Sequence, residues 1–128
     1  MSAMSAIRPA MWAAVFGLWC SATAAHAACE KGYVATFRIK PGNDAAFETQ
    51  LLALVAKVRA NEPGNLLYQP YRGAGIGEYV VLERYVDAAA RDAHGDSPAI
   101  KEAFPKLLPL LRDAPSIAAI SALECTSK

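Results

Sequence analysis

The order of strand-like and helix-like segments limits the fold of this chain more than any other feature of its sequence. Residues 33–40 are rich in β-branched and aromatic side chains and stop at Pro41-Gly42, which predicts a strand and a turn. Apolar residues then recur at offsets of 0, 4, 7, 8 and 11, which predicts one stripe of a helix that ends near Pro63-Gly64. The stripe consists of Phe47, Leu51, Leu54, Val55 and Val58.

Two strands follow this helix. Residues 66–71 predict a short one, which belongs at a sheet edge or bulge because Pro70 cannot donate a ladder hydrogen bond. The glycine-rich segment 73–77 is typical of a hairpin loop, and no Gly-Lys-Ser/Thr follows that would indicate phosphate binding. Residues 78–86 carry apolar side chains on both faces, so we expect a central strand that is covered on both sides.

A helical region follows the third predicted strand. Asp87 begins a short alanine-rich helix that runs to His94. The Ser-Pro pair at 97–98 has the order of a helix start, and Pro105 and Pro109 should kink or divide the helix that follows.

A last strand, predicted for residues 116–124, gives the order β-α-β-β-α-β. This is the split β-α-β or ferredoxin-like arrangement, an α+β fold whose antiparallel sheet has the strand order 4-1-3-2.

The first and last strands of this arrangement are antiparallel neighbours, so Cys29 and Cys125 should meet. The first 27 residues, which contain Cys20, predict a secretory leader, so two cysteines remain in the exported chain, and such a pair favours a disulfide. A metal site or a catalytic thiol is the alternative, but neither a C-x-x-C motif nor a nearby histidine accompanies them.

The first 27 residues have the features of a cleavable secretory leader. Arg8 precedes an apolar run over residues 10–20, and small residues lead up to position 27. The run is shorter than the roughly 20 residues that a membrane-spanning helix needs, so we do not expect an uncleaved anchor. Trp19 before Cys20 does not fit a lipoprotein signal. We expect a leader over 1–27 and one exported domain over 28–128, periplasmic or secreted and not in the membrane.

The charge of the exported part excludes some partners. Because the leader contains Arg8 and no acid, 12 basic and 12 acidic side chains remain after residue 27. A neutral domain gives no reason to expect nucleic acid or anionic lipid as a partner. A domain of this size has a modest core for its surface, and pairing with a second copy would stabilise it.

Several short motifs in this order resemble the antibiotic biosynthesis monooxygenase (ABM) family, also called the dimeric α/β-barrel family. The resemblance spans roughly residues 32–124 and rests on Pro41-Gly42, Glu62-Pro63-Gly64 with Tyr68, Glu83-Arg84-Tyr85, and Ala93-His94 with Ser97-Pro98. It implies a homodimer whose two sheets close into one barrel, with a mostly apolar pocket in each subunit. Members of the family include oxygenases that oxidise quinols or related phenols with O2 and without metal or flavin.

The resemblance also suggests residues for such a reaction. A cofactor-free oxygenase needs a base, a hydrogen-bonded position for the phenolate and a dry pocket. His94 is the candidate base, because histidine titrates near neutral pH, and its alternative role is that of a packing or capping residue at a helix end. Tyr85, a second catalytic candidate, and Tyr68 would orient a small aromatic or quinol-like ligand, unless they are only core aromatics.

Other residues complete the predicted site. Phe37 and Phe104 would contact the substrate, and Arg72 would steer an anionic one, although surface charge is the more common fate of an arginine. Glu83 and Arg84 would form an ion pair with each other at the end of the third strand. We expect no metal site and no cofactor.

Haem degradation, a known activity of some relatives, is the lesser alternative. Haem-degrading members have an asparagine on the first strand, a tryptophan at the end of the third and a histidine in the second helical segment. The corresponding residues here are Ala35, Tyr85 and Phe104. The sequence therefore predicts a quinol or phenol monooxygenase, and the main alternative is a non-catalytic dimeric module that binds a small ligand.

Overall fold

The computed structural model describes residues 29–125 of the chain. The predicted leader over 1–27 lies outside this part, so its cleavage and the domain boundary at residue 28 stay predictions. Within residues 29–125, no helix has the length and apolarity that crossing a membrane would require. The elements are β1 (Lys31–Arg38), α1 (Asp44–Asn61), β2 (Asn65–Arg72), β3 (Glu78–Tyr85), α2 (Ala88–Gly95), α3 (Pro98–Leu107) and β4 (Ser116–Ile120).

The four strands form one antiparallel sheet in the order β2-β3-β1-β4, which is the predicted order read from the other edge. Ala35 in the centre of β1 pairs with Val81 on one side and with Ile117 on the other. The strand that contains Pro70 lies at an edge, as the missing donor of proline requires. The ferredoxin-like α+β fold is confirmed.

The helices cover one face of the sheet. All five residues of the predicted stripe on α1 are buried, and alternate residues of β1 and β3 meet them. Asp87 and Ser97 cap α2 and α3 by accepting hydrogen bonds from the backbone N–H groups of Ala90 at 2.8 Å and Ile100 at 3.3 Å. The predicted break in the last helix occurs after Leu107, where a 3-10 turn over Leu108–Leu110 replaces the α-helix.

The second face of the sheet is not covered within the described chain, so the expectation that β3 is covered on both sides is wrong for one subunit. On that face Val80 and Leu82 are half-buried and Arg84 is exposed. The last strand is also shorter than predicted and ends at Ile120, which is 49% exposed. β3 contains the predicted apolar run, but a single helical layer on one face of the sheet can bury only alternate residues of a strand.

The two cysteines meet as predicted. Cys29 and Cys125 form a disulfide, and their Cα atoms are 5.7 Å apart. The bridge joins the segment before β1 to the segment after β4. These two strands pair with each other, and β4 is an edge strand of the sheet. The bridge closes a loop of 96 positions, for which the loop-entropy model gives a stabilisation of about 4 to 5 kcal/mol.

Candidate functional site

A small cavity lies between the helix-covered face of the sheet and helices α2 and α3. Its volume is about 60 Å³. Its apolar wall consists of Ala35, Phe37, Ile100, Phe104 and Ile117, and its polar wall contains Tyr68, Glu83, Arg91 and His94. An apolar cavity of about 150 Å³ binds benzene, so we expect an aromatic ring to enter this smaller cavity only when side chains move.

His94 is one of three almost fully enclosed ionisable groups of this cavity wall, with Tyr68 and Glu83. It lies in the last turn of α2 and is 4% exposed. The ring centroids of Tyr68 and Tyr85 lie 5.1 Å and 5.3 Å from its imidazole. The predicted catalytic histidine is therefore in contact with both predicted tyrosines.

A carboxylate holds His94 from the side of α1. Nδ1 of His94 lies 2.7 Å from Oε2 of Glu62, the residue that ends α1. Because the following residue is Pro63, the backbone of Glu62 is restricted to an extended conformation, observed at φ −115° and ψ 86°. The sequence motif that contains Glu62 predicts the end of the helix and contributes to the family resemblance, but it does not predict the contact with His94.

A second carboxylate, that of Glu83, lies inside the site. It is 4% exposed, and its Oε2 accepts a hydrogen bond of 2.7 Å from the hydroxyl of Tyr85. Burial, reinforced by the charge of Glu83, raises the pKa of Tyr85. Burial, followed by the charges of Glu83 and Glu62, likewise raises the pKa of Tyr68. Both phenols therefore stay protonated near neutral pH, where they can donate hydrogen bonds but cannot act as bases.

The predicted ion pair between Glu83 and Arg84 is absent, which corrects the sequence interpretation. Consecutive residues of a strand point to opposite faces, so these two side chains cannot meet. Arg84 instead binds Glu30 with two hydrogen bonds of 3.0 Å and 2.6 Å.

The cation that faces Glu83 is Arg91, which sequence reasoning missed. Its Nε lies 4.0 Å from Oε2 of Glu83, and its guanidinium lies over the ring of Tyr33 at 4.9 Å. Within residues 29–125, this Nε is buried without a hydrogen-bond partner. Arg91 precedes His94 by three positions on α2, and this spacing on one helix face could have identified it.

Arg72, which was expected to contact the substrate, does not line the cavity. It binds Glu48 through two hydrogen bonds of 2.9 Å and 2.8 Å, and Tyr79 donates a third to the same carboxylate at 2.7 Å. Arg72 lies four positions beyond Tyr68 on the strand, a distance of roughly 13 Å at about 3.3 Å per residue. Its positive charge is therefore directed to α1 and away from His94.

Three other predicted site residues lie at the cavity, and their contact with a substrate stays a prediction. Phe37, Tyr68 and Phe104 line the cavity together with His94. Tyr85 lies behind the cavity wall, against the ring of His94 and bound to Glu83. Across residues 29–125, no three histidine, cysteine or acidic side chains converge in a way that could hold a metal ion.

Comparisons with known proteins agree with this architecture. Residues 32–106 match the sequence profile of the family described as antibiotic biosynthesis monooxygenase, ABM. A solved structure of a proposed antibiotic biosynthesis monooxygenase from Caulobacter crescentus CB15 is 39% identical, covers 76% of this chain and 92% of that one, and has a TM-score of 0.72. No curated protein sequence matches this chain.

Two further solved structures share the fold. Rv0793 from Mycobacterium tuberculosis is 28% identical, with 77% of this chain and 99% of that one covered and a TM-score of 0.69. PA3566 from Pseudomonas aeruginosa is 26% identical, with 77% and 98% covered and a TM-score of 0.68.

Proposed function

This chain belongs to the antibiotic biosynthesis monooxygenase family, and on that premise we propose that it oxidises a quinol or a related phenol with O2, without metal or flavin. The observation that carries the proposal is the buried His94, bonded to a carboxylate and facing a cavity with a largely aromatic and aliphatic wall. This arrangement combines a base with a dry environment, the two features that a cofactor-free oxygenation needs from the protein.

The proposed reaction begins with the transfer of the phenolic proton to His94. The phenolate that forms is electron-rich and can reduce O2 directly. One oxygen atom forms a bond to a ring carbon, the hydrogen of that carbon is lost, and the O–O bond breaks. The products are a quinone that carries one atom of O2 and a water molecule that carries the other.

The polar residues beside His94 suit a phenol. Tyr68 has a protonated hydroxyl and lines the cavity, so it can donate a hydrogen bond to the phenolate oxygen. Arg91 adds a positive charge; in the described part of the chain its Nε is buried without a hydrogen-bond partner and lies 4.0 Å from Oε2 of Glu83. Both groups would stabilise negative charge on the substrate. The apolar side chains opposite them would contact the ring.

Substrate binding must open the site, because about 60 Å³ does not hold an aromatic ring. Arg91 is 21% exposed at the side chain and Ile117 is 48% exposed, so both lie between the cavity and solvent. We propose that these two side chains move when the ligand enters.

A second function, binding of a small ligand without turnover, is favoured by the small size of the cavity and by the bond between Tyr85 and Glu83, which engages a carboxylate of the cavity wall with a residue behind that wall. Haem degradation is the lesser candidate, since Phe104 offers no iron ligand where haem-degrading relatives have a histidine. A haem titration followed by absorbance tests it, and the absence of a Soret shift would exclude it.

We further propose that the protein acts outside the cytoplasm as a homodimer. The leader-like segment over 1–27 supports export. The uncovered sheet face of the described chain, with half-buried Val80 and Leu82 and exposed Ile120, supports a second copy as the partner.

The experiment that tests the proposed reaction measures O2 consumption by the purified protein with a panel of hydroquinones and phenols, followed by mass spectrometry after reaction under ¹⁸O2. We expect consumption above the spontaneous rate with at least one substrate, and one labelled oxygen atom in its product. No consumption above the spontaneous rate across the panel would favour the ligand-binding alternative.

A further inference from the structure

Glu62 and His94 come from separate helices and meet as a buried pair. Glu62 ends α1 and His94 stands in the last turn of α2, yet Oε2 and Nδ1 are 2.7 Å apart. The two side chains are 14% and 4% exposed. Enclosure of this kind strengthens a hydrogen bond to a charged group, because little water competes for it.

The pairing determines which nitrogen of the imidazole carries the proton. An ionised carboxylate can only accept hydrogen bonds, so Nδ1 must be the donor. A neutral imidazole has one proton on its two nitrogens, and Nε2 is then left unprotonated. Free imidazole side chains prefer the opposite tautomer, with the proton on Nε2, so the carboxylate has to impose this state.

The location of Glu62 and His94 gives the two nitrogens of the imidazole different surroundings. Glu62 lines a hollow of about 370 Å³ on the outer surface, and His94 lines both this hollow and the inner cavity. The ring edge that carries Nδ1 is therefore directed toward Glu62 and the outer hollow. Because Nδ1 is the nitrogen bonded to Glu62, Nε2 is the nitrogen that remains available to the cavity that His94 also lines.

The backbone around Glu62 is fixed on both sides. Its N–H donates to the carbonyl of Val58 at 3.0 Å, and its carbonyl accepts from the N–H of Asn65 at 3.0 Å. The second carboxylate oxygen, Oε1, is buried without a partner among residues 29–125. A buried carboxylate in this condition depends on its one partner for compensation, so the contact with His94 is strongly coupled.

We propose that Glu62 is a positioning residue that fixes the Nδ1–H tautomer of His94 and leaves Nε2 free to take a proton from the substrate. The inference rests on the proposed function for its catalytic meaning. The assignment of the tautomer does not rest on the proposed function, because the tautomer exists in the absence of any substrate. In the proton transfer, the O–H bond of the phenol breaks, an N–H bond forms at Nε2, and the resulting imidazolium is stabilised by the charge of Glu62.

The first test is ¹⁵N NMR of the imidazole nitrogens in the full chain, at a pH where the ring is neutral. The sequence contains two histidines, His26 and His94, so a His94→Gln spectrum assigns the signals. We expect a pyrrole-type signal for Nδ1 and a pyridine-type signal for Nε2. A pyrrole-type Nε2 in the wild-type protein would overturn the inference whatever the enzyme does.

The second test compares variants. Glu62→Leu removes the acceptor for Nδ1–H and should move the proton toward Nε2, and Glu62→Asp should retain part of the original tautomer if the shorter carboxylate still reaches the ring. Glu48→Gln is the matched control, because Glu48 is also a hydrogen-bonded glutamate of α1 but binds Arg72 and Tyr79 at the other end of the sheet. An unchanged tautomer in folded Glu62→Leu, which offers no acceptor to Nδ1–H, would contradict the proposal.

Kinetics supply an independent readout if a substrate is found. Glu62→Gln should lower kcat by roughly ten- to a hundredfold, part of the 10²–10⁴-fold that a positioned base contributes, and leave KM within about twofold. Equal loss in Glu48→Gln would indicate general destabilisation. A wild-type protein without turnover but with the expected Nδ1–H tautomer would defeat the proposed function and leave the role of Glu62 intact.

Discussion

The hydroxyl of Tyr85 donates a hydrogen bond of 2.7 Å to the buried carboxylate of Glu83, two residues earlier on the same strand face. The pair lies at the C-terminal end of β3, an inner strand of the sheet, and Glu83 also lines the candidate site. Tyr85 is fully buried, so its phenol has exchanged water for this one charged acceptor. The bond therefore contributes to stability, in addition to any effect on substrate.

The first prediction concerns this bond. Tyr85→Phe removes the donor and leaves a buried carboxylate oxygen with less compensation, which should lower the free energy of unfolding by about 1 to 3 kcal/mol. Urea unfolding measures the change. Tyr71→Phe is the control, since Tyr71 is 49% exposed and should change stability little. Equal losses in both variants would show that the bond to Glu83 does not matter.

The second prediction concerns the disulfide. Replacing both Cys29 and Cys125 by serine should lower the free energy of unfolding by up to about 4 to 5 kcal/mol, because the unfolded chain regains the freedom that the bridge removes. Addition of a reductant to the wild-type protein should have a similar effect, measured again by urea unfolding. The double variant should not respond to the reductant. A wild-type protein equally stable in both conditions would contradict the assigned bridge.

The third prediction is a dependence of stability on alkaline pH. Burial, together with the hydrogen bonds to Glu48 and Asp44, raises the pKa of Tyr79 to about 12 from an ordinary value of 10.0. The folded state thus retains a proton that the unfolded state loses between these values, so the stabilisation is complete below pH 10 and is lost as the pH rises to 12. Tyr79→Phe should show a smaller fall in unfolding free energy over this window, by about 2 kcal/mol. A fall of the same size in the wild-type and Tyr79→Phe proteins would contradict the contribution of Tyr79 to this pH dependence.

The fourth prediction tests the proposed homodimer. Leu82→Lys places a charge at the centre of the uncovered sheet face, where a lysine can be solvated in one subunit but not against a second sheet. We expect the wild-type protein to have the mass of a dimer in light scattering and the variant that of a single chain. Ile76→Lys, in the fully exposed hairpin loop, should remain dimeric. A wild-type protein that is monomeric at micromolar concentration would refute the dimer.

The fold could be predicted from the sequence because its signals are local. The stripe on α1 is a matter of spacing within 12 residues, and the capping roles of Asp87 and Ser97 depend on their immediate neighbours. The meeting of the two cysteines followed from the strand order. The covering of β3 was misjudged, because an apolar run does not tell whether its second face is buried by the same chain or by another.

The site was only partly accessible to sequence reasoning. His94 and its aromatic neighbours were identified from the family resemblance, and the structure brings them together. The contact between Glu62 and His94 joins positions 32 apart, and no local pattern encodes it. Arg72 was assigned to the site by its charge alone, whereas the direction of β2 takes it to the opposite end of the sheet. The two-residue period of a strand already excluded a bond between Glu83 and Arg84.

The central claim, that His94 is the base of an oxygenation reaction, is tested most directly by the rate of O2 consumption with the best hydroquinone substrate in wild-type and His94→Gln protein. Loss of a positioned base should lower kcat by roughly 10²–10⁴-fold, while Lys101→Gln, on the exposed surface of α3, should retain the wild-type rate. A His94→Gln protein that is folded and consumes O2 at the wild-type rate would contradict the account.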